Sequence, residues 1–243
     1  MVPACGLDVR ATPGLQAAYV QRHLADPERL GARFVVWWEV HDDEGFAFLE
    51  ERGMWLDPRS YEFEGNVRRR ATGEVIGNDE LFRLLGEFFS GRIGELEAIE
   101  GAAETLERLA SECEIIMLTN LPHEHYEERR ANLLRHGMPY PLVTNRGPKG
   151  PAVRAMAAAR GEPCVLVDDY TDFLESARDH NPGTALVHFL HDPRFAVHAR
   201  PVRTEHVRVS EWRGAERAIR NVLDAASSSG AGTDERMSAE REE

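Results

Sequence analysis

At 243 residues, 42% of them hydrophobic and 29% charged, the chain has a globular composition and enough length for one sizeable core, or a core with a smaller insertion. Its formal net charge of -13 excludes the basic patch or stripe of a nucleic-acid-binding surface, and no apolar run reaches the roughly 20 residues that cross a bilayer. Met1 to Asp8 has neither the basic start nor the apolar stretch of a secretory signal. Cys5, Cys113 and Cys164 have no metal-like spacing, so reduced thiols in a cytoplasmic setting are expected.

Residues 1–32 read as an N-terminal extension. Leu15 to Leu24 has helical character, whereas Met1 to Gly14 carries two prolines and two glycines and reads as irregular. Arg33 to Val40 (RFVVWWEV) is rich in β-branched and aromatic residues and is the first convincing strand. From Phe46 to Arg92 the pattern turns helical, with Asn78-Asp79 as an N-cap before Leu81, Leu84, Leu85, Phe88 and Phe89 on one face.

After Gly101 the pattern becomes regular. Helix Ala102–Ala110 precedes strand Glu114–Leu118, and helix Glu124–His136 stops at Gly137 before the short strand Pro141–Thr144. Helix Pro151–Arg160 leads to strand Cys164–Val167, then helix Thr171–His180 to strand Thr184–His188. Strand His206–Val209 and helix Glu211–Ala225 close the domain. Short apolar runs alternating with helices of about 10 residues predict βαβ units, hence an α/β fold with a doubly wound, Rossmann-like parallel sheet. Residues 226–243 are small, polar and charged and read as a disordered tail.

Chemistry concentrates where two apolar runs stop. Ile115 to Leu118 ends in Thr119-Asn120, and Val165 to Val167 ends in Asp168-Asp169. In a doubly wound sheet, ligands sit outside the carboxyl ends of the strands. Lys149 opens the helix between these two runs. A hydroxyl with an amide, a cation and paired carboxylates are the parts needed to hold a phosphate beside a metal ion.

Over residues 95–190 these elements resemble the haloacid dehalogenase-like superfamily of phosphohydrolases. Leu118-Thr119-Asn120 is similar to that family's second motif, which binds the transferred phosphoryl group. Lys149, after Asn145-Arg146-Gly147-Pro148, is similar to the third motif's lysine, which balances charge on phosphate and nucleophile. Val167-Asp168-Asp169 with Asp172 resembles the acidic fourth motif that holds magnesium. Two positions depart from the pattern: Lys149 is followed by Gly150-Pro151 where the family has proline, and Val167 stands where glycine is common. Each residue type suits its role, since Mg²⁺ takes carboxylate oxygens and waters and lysine is a compact point charge.

The family's first motif is an Asp-x-Asp at the end of the first strand, whose first Asp forms an aspartyl-phosphate and whose second is acid and base. Asp42-Asp43-Glu44-Gly45 follows the strongest strand, giving Asp42 as nucleophile and Glu44 as acid/base, with Phe46 where threonine is expected. Asp8-Val9-Arg10-Ala11-Thr12 has the first Asp and the Thr, but Arg10 cannot exchange a proton near neutral pH. A third alignment puts Val36 and Trp38 at the acid positions and leaves the site without a nucleophile.

The resemblance thus implies a core of residues 33–45 and 95–225 with a helical cap insertion over residues 46–94, whose core would hold Phe88 and Phe89. It implies a Mg²⁺-dependent phosphohydrolase acting on a small phosphorylated molecule. The alternative is a catalytically inactive protein of this fold that serves as a binding or interaction module. Arg68, Arg69 and Arg70 are either a solvated surface run or a reach toward an anionic substrate. His123 and His125, two residues apart, do not share a helix face and read as surface histidines.

Overall fold

The period-2 alternation of the apolar runs becomes two separate helical layers in the computed structural model, which describes residues 34–36, 43–160 and 163–239. Strands β1 (Phe34–Val36), β4 (Glu114–Ile115), β5 (Met117–Thr119), β6 (Leu142–Thr144), β7 (Cys164–Asp168), β8 (Ala185–Phe189) and β9 (Val207–Val209) are joined by helices. Five of them form a parallel sheet in the order β4-β1-β7-β8-β9, with Val35 opposite both Ile115 and Val165. β4 and β5 are successive halves of one apolar run; the first pairs with β1 and the second, in parallel, with β6.

Side chains of alternate residues then meet different helices. Ile115, Met117, Val165 and Val167 pack with α3 (Ala102–Leu109) and α8 (Trp212–Ala239), through Leu106, Leu109, Trp212 and Ile219. Ile116, Leu118, Cys164 and Leu166 pack on the other face with α5 (Gly150–Arg160) and α6 (Thr171–His180), through Val153, Met156 and Leu174. This is the doubly wound α/β fold, and it explains why its strands are apolar on both faces. α4 (Tyr126–Arg135) follows a single 3₁₀ turn, His123–His125.

Residues 43–97, the region where a helical cap over residues 46–94 is expected and called the cap below, are less helical than the sequence pattern suggests. α1 (Asp43–Glu51) and α2 (Asn78–Arg92) enclose an antiparallel ribbon of β2 (Met54–Leu56) and β3 (Val67–Arg69). The helix stops before the ribbon because Gly53 adopts φ 68°, a left-handed conformation open to glycine at little cost. The expected N-cap at Asn78-Asp79 is also displaced: Gly77 precedes the helix, its carbonyl accepting from the Leu81 N–H at 3.0 Å. Asp79 and Glu80 instead sit in the first turn, where the helix dipole favours acids.

Phe88 lies in a third apolar cluster, in contact with Phe48 and Phe89 at ring-centroid distances of 5.3 and 5.8 Å. That cluster also takes in Leu121 and Phe195, which belong to the core domain. Phe195 sits on α7 (Pro193–Ala196), so the cap is anchored by an aromatic from below.

At the other end, α8 runs to Ala239, where the sequence reading stops the helix at Ala225 and places a disordered tail. The serines that signalled disorder bond back along the helix instead: Ser227 and Ser228 hydroxyls donate to the carbonyls of Leu223 and Asp224, each at 3.0 Å. Among the described residues no helix is long and apolar enough to cross a membrane. The expected extension of residues 1–32 lies outside the described residues.

Candidate active site

The last residues of β5 and β7, Thr119 and Asp168, are both buried. The loops that follow β5 and β6 are stitched together. The Asn145 N–H donates to the Thr119 carbonyl at 2.6 Å, and its side-chain amide donates to Asn120 Oδ1 at 2.8 Å. Both Asn120 and Asn145 donate to the Gly147 carbonyl, at 2.8 and 2.9 Å. Gly147 has φ 79°, so the loop turns there into the helix that Lys149 introduces. Asn145 was missed by sequence reasoning; its only signal is a polar residue directly after an apolar strand.

Lys149 and Asp168 form the centre of this arrangement. The Lys149 Nζ lies 2.5 Å from Asp168 Oδ2, and both side chains are fully buried. The second oxygen of Asp168 accepts the Tyr170 N–H at 3.0 Å. Burial pushes the Asp168 carboxyl up to about 6, against the opposing pull of Lys149. Lys149 is the chain's only lysine, so every other one of its 29 Lys and Arg side chains is an arginine. A compact ammonium fits a closed pocket that a forked guanidinium would overfill.

The departure from Lys-Pro to Lys149-Gly150-Pro151 has a packing cause. The Gly150 N–H donates to Ser176 Oγ at 3.1 Å. A Cβ at Gly150 would collide with the Ser176 carbonyl oxygen and the His180 ring. Glycine lets α5 and α6 approach each other closely just behind the lysine.

Asp169 faces the cap. Its Oδ2 accepts the Tyr61 hydroxyl at 2.9 Å, across 108 residues of sequence. Its backbone carbonyl lies 3.0 Å from His188 Nε2, so that nitrogen carries the ring proton, and burial holds His188 below the ordinary histidine range. An open groove of about 420 Å³ adjoins the site, bounded by Asn120, Gly147, Tyr170, Asp172 and Phe173.

The solved structures with this architecture include the HAD family hydrolase from Deinococcus radiodurans R1, determined with bound phosphate and sodium. It matches at a TM-score of 0.56 and 18% identity, over 79% of this chain and 96% of that one. The fold is haloacid dehalogenase-like. A haloacid dehalogenase-like family hydrolase from Xanthomonas campestris matches at a TM-score of 0.42 and 14% identity, over 63% of each chain. No protein-family model matches the sequence, and no curated protein matches it.

Within this haloacid dehalogenase-like fold, Lys149 pairs with Asp168, Asp169 follows at the end of β7, and Thr119 and Asn120 are tied through Asn145 and Gly147 to the loop that leads to Lys149. Asp172 lines the adjoining groove with Asn120, Gly147 and Tyr170. It lies in the first turn of α6, its side chain 60% exposed and ion-paired with Arg200, which also pairs with Glu175. Asp42, Asp8 and Trp38 lie outside the described residues; Val36 ends β1, and Glu44 lies in α1. Among the described residues, no group of three or more His, Cys, Asp or Glu side chains could by itself hold a metal ion.

The remaining sequence candidates stand apart from the site. Arg68, Arg69 and Arg70 pair inside the cap with Asp57, Glu80 and Glu50. His125 is buried, not on the surface, because the 3₁₀ turn rotates it inward beside Glu124 and Glu128, at 3.7 and 3.5 Å. His123 Nδ1 lies 2.9 Å from Thr144 Oγ1.

Proposed function

We propose that this chain is a magnesium-dependent phosphohydrolase that cleaves a small phosphomonoester through an aspartyl-phosphate. The observation that carries this reading is the buried Lys149–Asp168 pair, set between the Thr119-Asn120 loop and Asp169 at the carboxyl edge of a parallel sheet. A positive charge held there by a carboxylate is preorganised for a phosphoryl dianion, whose transfer depends on positioning and charge stabilisation. The Deinococcus hydrolase of the same fold was solved with phosphate and sodium, an anion and a cation together.

The donor set fits a hard cation. Asp168 and Asp169 offer carboxylate oxygens, and because Asp168 is engaged by Lys149, Asp169 is the principal ligand. Asp172, at the rim of the groove and paired with Arg200, would sit behind those direct ligands. When bound, Mg²⁺ would draw charge from the phosphoryl oxygens. Thr119 and Asn120 hold and orient those oxygens, and Lys149 balances their charge.

Asp42 is the nucleophile in this reading. The chain leaves β1, which lies between β4 and β7 and runs parallel to both, at Val36, and α1 begins at Asp43. A carboxylate oxygen of Asp42 attacks phosphorus, forming a P–O bond as the bond to the alcohol breaks, and Glu44 gives the leaving oxygen its proton. Water then attacks the phosphorus, Glu44 takes back a proton, and the Asp42–phosphorus bond breaks to release inorganic phosphate. The groove of about 420 Å³ suits a small substrate. A cytoplasmic setting belongs to the same reading, since Cys113 and Cys164 are buried thiols and burial pushes Cys164 up to about 12.

Hydrolysis of an aryl phosphate with and without Mg²⁺ tests this. The expected result is Mg²⁺-dependent phosphate release, lost in Asp42→Asn and in Asp168→Asn. Release that survives Asp42→Asn moves the nucleophile elsewhere. A folded wild-type chain that releases none overturns the enzyme reading.

A further inference from the structure

The cap meets the cation side of the site at two consecutive residues on each partner. Tyr61 donates its hydroxyl to Asp169 Oδ2 at 2.9 Å, and Tyr170 donates its hydroxyl to Glu62 Oε1 at 2.7 Å. The bonds run in opposite directions, one from cap to core and one from core to cap. The two tyrosine rings lie side by side, 6.5 Å between centroids. Tyr61 also meets Phe195 edge-on at 6.3 Å, so its ring is fixed independently of its hydroxyl.

The cap loop that carries Tyr61 and Glu62 is bridged by a buried amide. Asn66 is 2% exposed. Its Nδ2 donates to the carbonyls of Ser60 and Glu62 at 2.9 and 2.6 Å, and its Oδ1 accepts the Arg59 N–H at 3.1 Å. A side chain that satisfies its own hydrogen-bonding capacity while bridging a loop of this length makes the loop a rigid presenter. Tyr61 therefore arrives at Asp169 on a preformed support.

We infer that Tyr61 is a positioning residue for Asp169, and that the Tyr61–Asp169 and Glu62–Tyr170 pair of hydrogen bonds makes the cap part of the cation site. This rests on the phosphohydrolase reading above. A carboxylate has two oxygens, and fixing Oδ2 sets the plane of the group and so the direction of Oδ1. Hydrogen bonds of this kind to a ligating carboxylate tune metal affinity, and their loss costs roughly 10–100-fold. Tyr61→Phe removes only the hydroxyl and keeps the ring packing on Phe195.

Two measurements on the full chain test the inference. Titration calorimetry with MgCl₂ is expected to show Tyr61→Phe binding roughly 10–100-fold more weakly than wild type. In aryl phosphate hydrolysis, the Mg²⁺ concentration for half-maximal rate rises by the same factor while kcat at saturating Mg²⁺ stays within about twofold. A purely structural role would lower kcat and leave the Mg²⁺ dependence alone. Tyr170→Phe, which breaks the other bond and leaves Tyr61 intact, is expected to show a smaller shift in the same direction. Wild-type and Tyr61→Phe chains that bind Mg²⁺ equally overturn this inference and leave the phosphohydrolase reading standing. A wild-type chain that binds no Mg²⁺ overturns both.

Discussion

In the core, each strand divides its side chains between two helical layers, so Cys164 and Leu166 meet α5 and α6 while Val165 and Val167 meet α3 and α8. In the cap, one apolar cluster around Phe88 is completed from outside by Phe195 and Leu121 of the core. The core is therefore self-sufficient, with its apolar faces covered by its own βα units. The cap cannot close its cluster without the core. Charge follows the same division. The core holds the Lys149–Asp168 pair with both side chains fully buried, while the cap spreads Arg68, Arg69 and Arg70 over its own acids nearer the surface.

Replacing the buried lysine is expected to have the largest effect. Lys149→Met should lower phosphate release by about 10²–10³-fold, the usual loss when one preorganised charge-stabilising group is removed. It also changes how stability depends on pH. In wild type, Asp168 is held at about 6 against an ordinary value of 3.8, so the folded state binds its proton more tightly than the unfolded chain. The contribution of this group is then greatest at low pH and falls as pH rises through 3.8 to about 6, becoming level above that. Without Lys149 the downward pull is lost, Asp168 titrates higher still, and the decline extends above pH 6. Melting curves across pH 5 to 8 check this; parallel curves for wild type and variant would show that the pair does not set the titration.

The dependence of the cap on the core is tested by Phe195→Ala. Removing a buried phenylalanine typically costs about 3–5 kcal/mol, and here the cavity opens beneath Phe46 and Tyr61. The expected outcome is earlier unfolding of the cap, seen as faster hydrogen exchange in residues 43–97 than in β7 and β8. Uniform exchange across cap and core would mean that the two unfold as one unit.

The smallest effect is expected on the cap surface. Arg69→Ala breaks its 2.5 Å contact with Glu80, in which Arg69 is 44% exposed. Such pairs contribute below about 1 kcal/mol, so chemical denaturation should shift little and phosphate release should be unchanged. A marked loss of activity would instead revive a role for the arginine run in substrate binding.

Much of the core was legible because its signals are local. The two-sided apolar runs at 115–118 and 164–167, each ending in polar residues, define parallel strands and the edge where Thr119, Asn120, Asp168 and Asp169 emerge. Lys149 could be singled out by its place between those runs. The cap was legible only as an apolar helical face, because the turn at Gly53 and the β2–β3 ribbon depend on backbone conformations and pairings that periodicity does not encode. Asp172 is grouped with Asp168 and Asp169 by resemblance to the family's acidic motif, but its ion pair with Arg200, 28 residues further on, is not legible in the sequence.

The sequence by itself therefore determined the α/β sheet and the residues at its carboxyl edge, since side-chain alternation and strand termini are properties of neighbouring residues. Only the tertiary structure decided that Lys149 closes on Asp168, that Asp172 pairs with Arg200, and that Tyr61 reaches Asp169 across 108 residues. The physical reason is that a hydrogen bond between distant segments depends on the packing that brings them together, and that packing is settled by the whole fold.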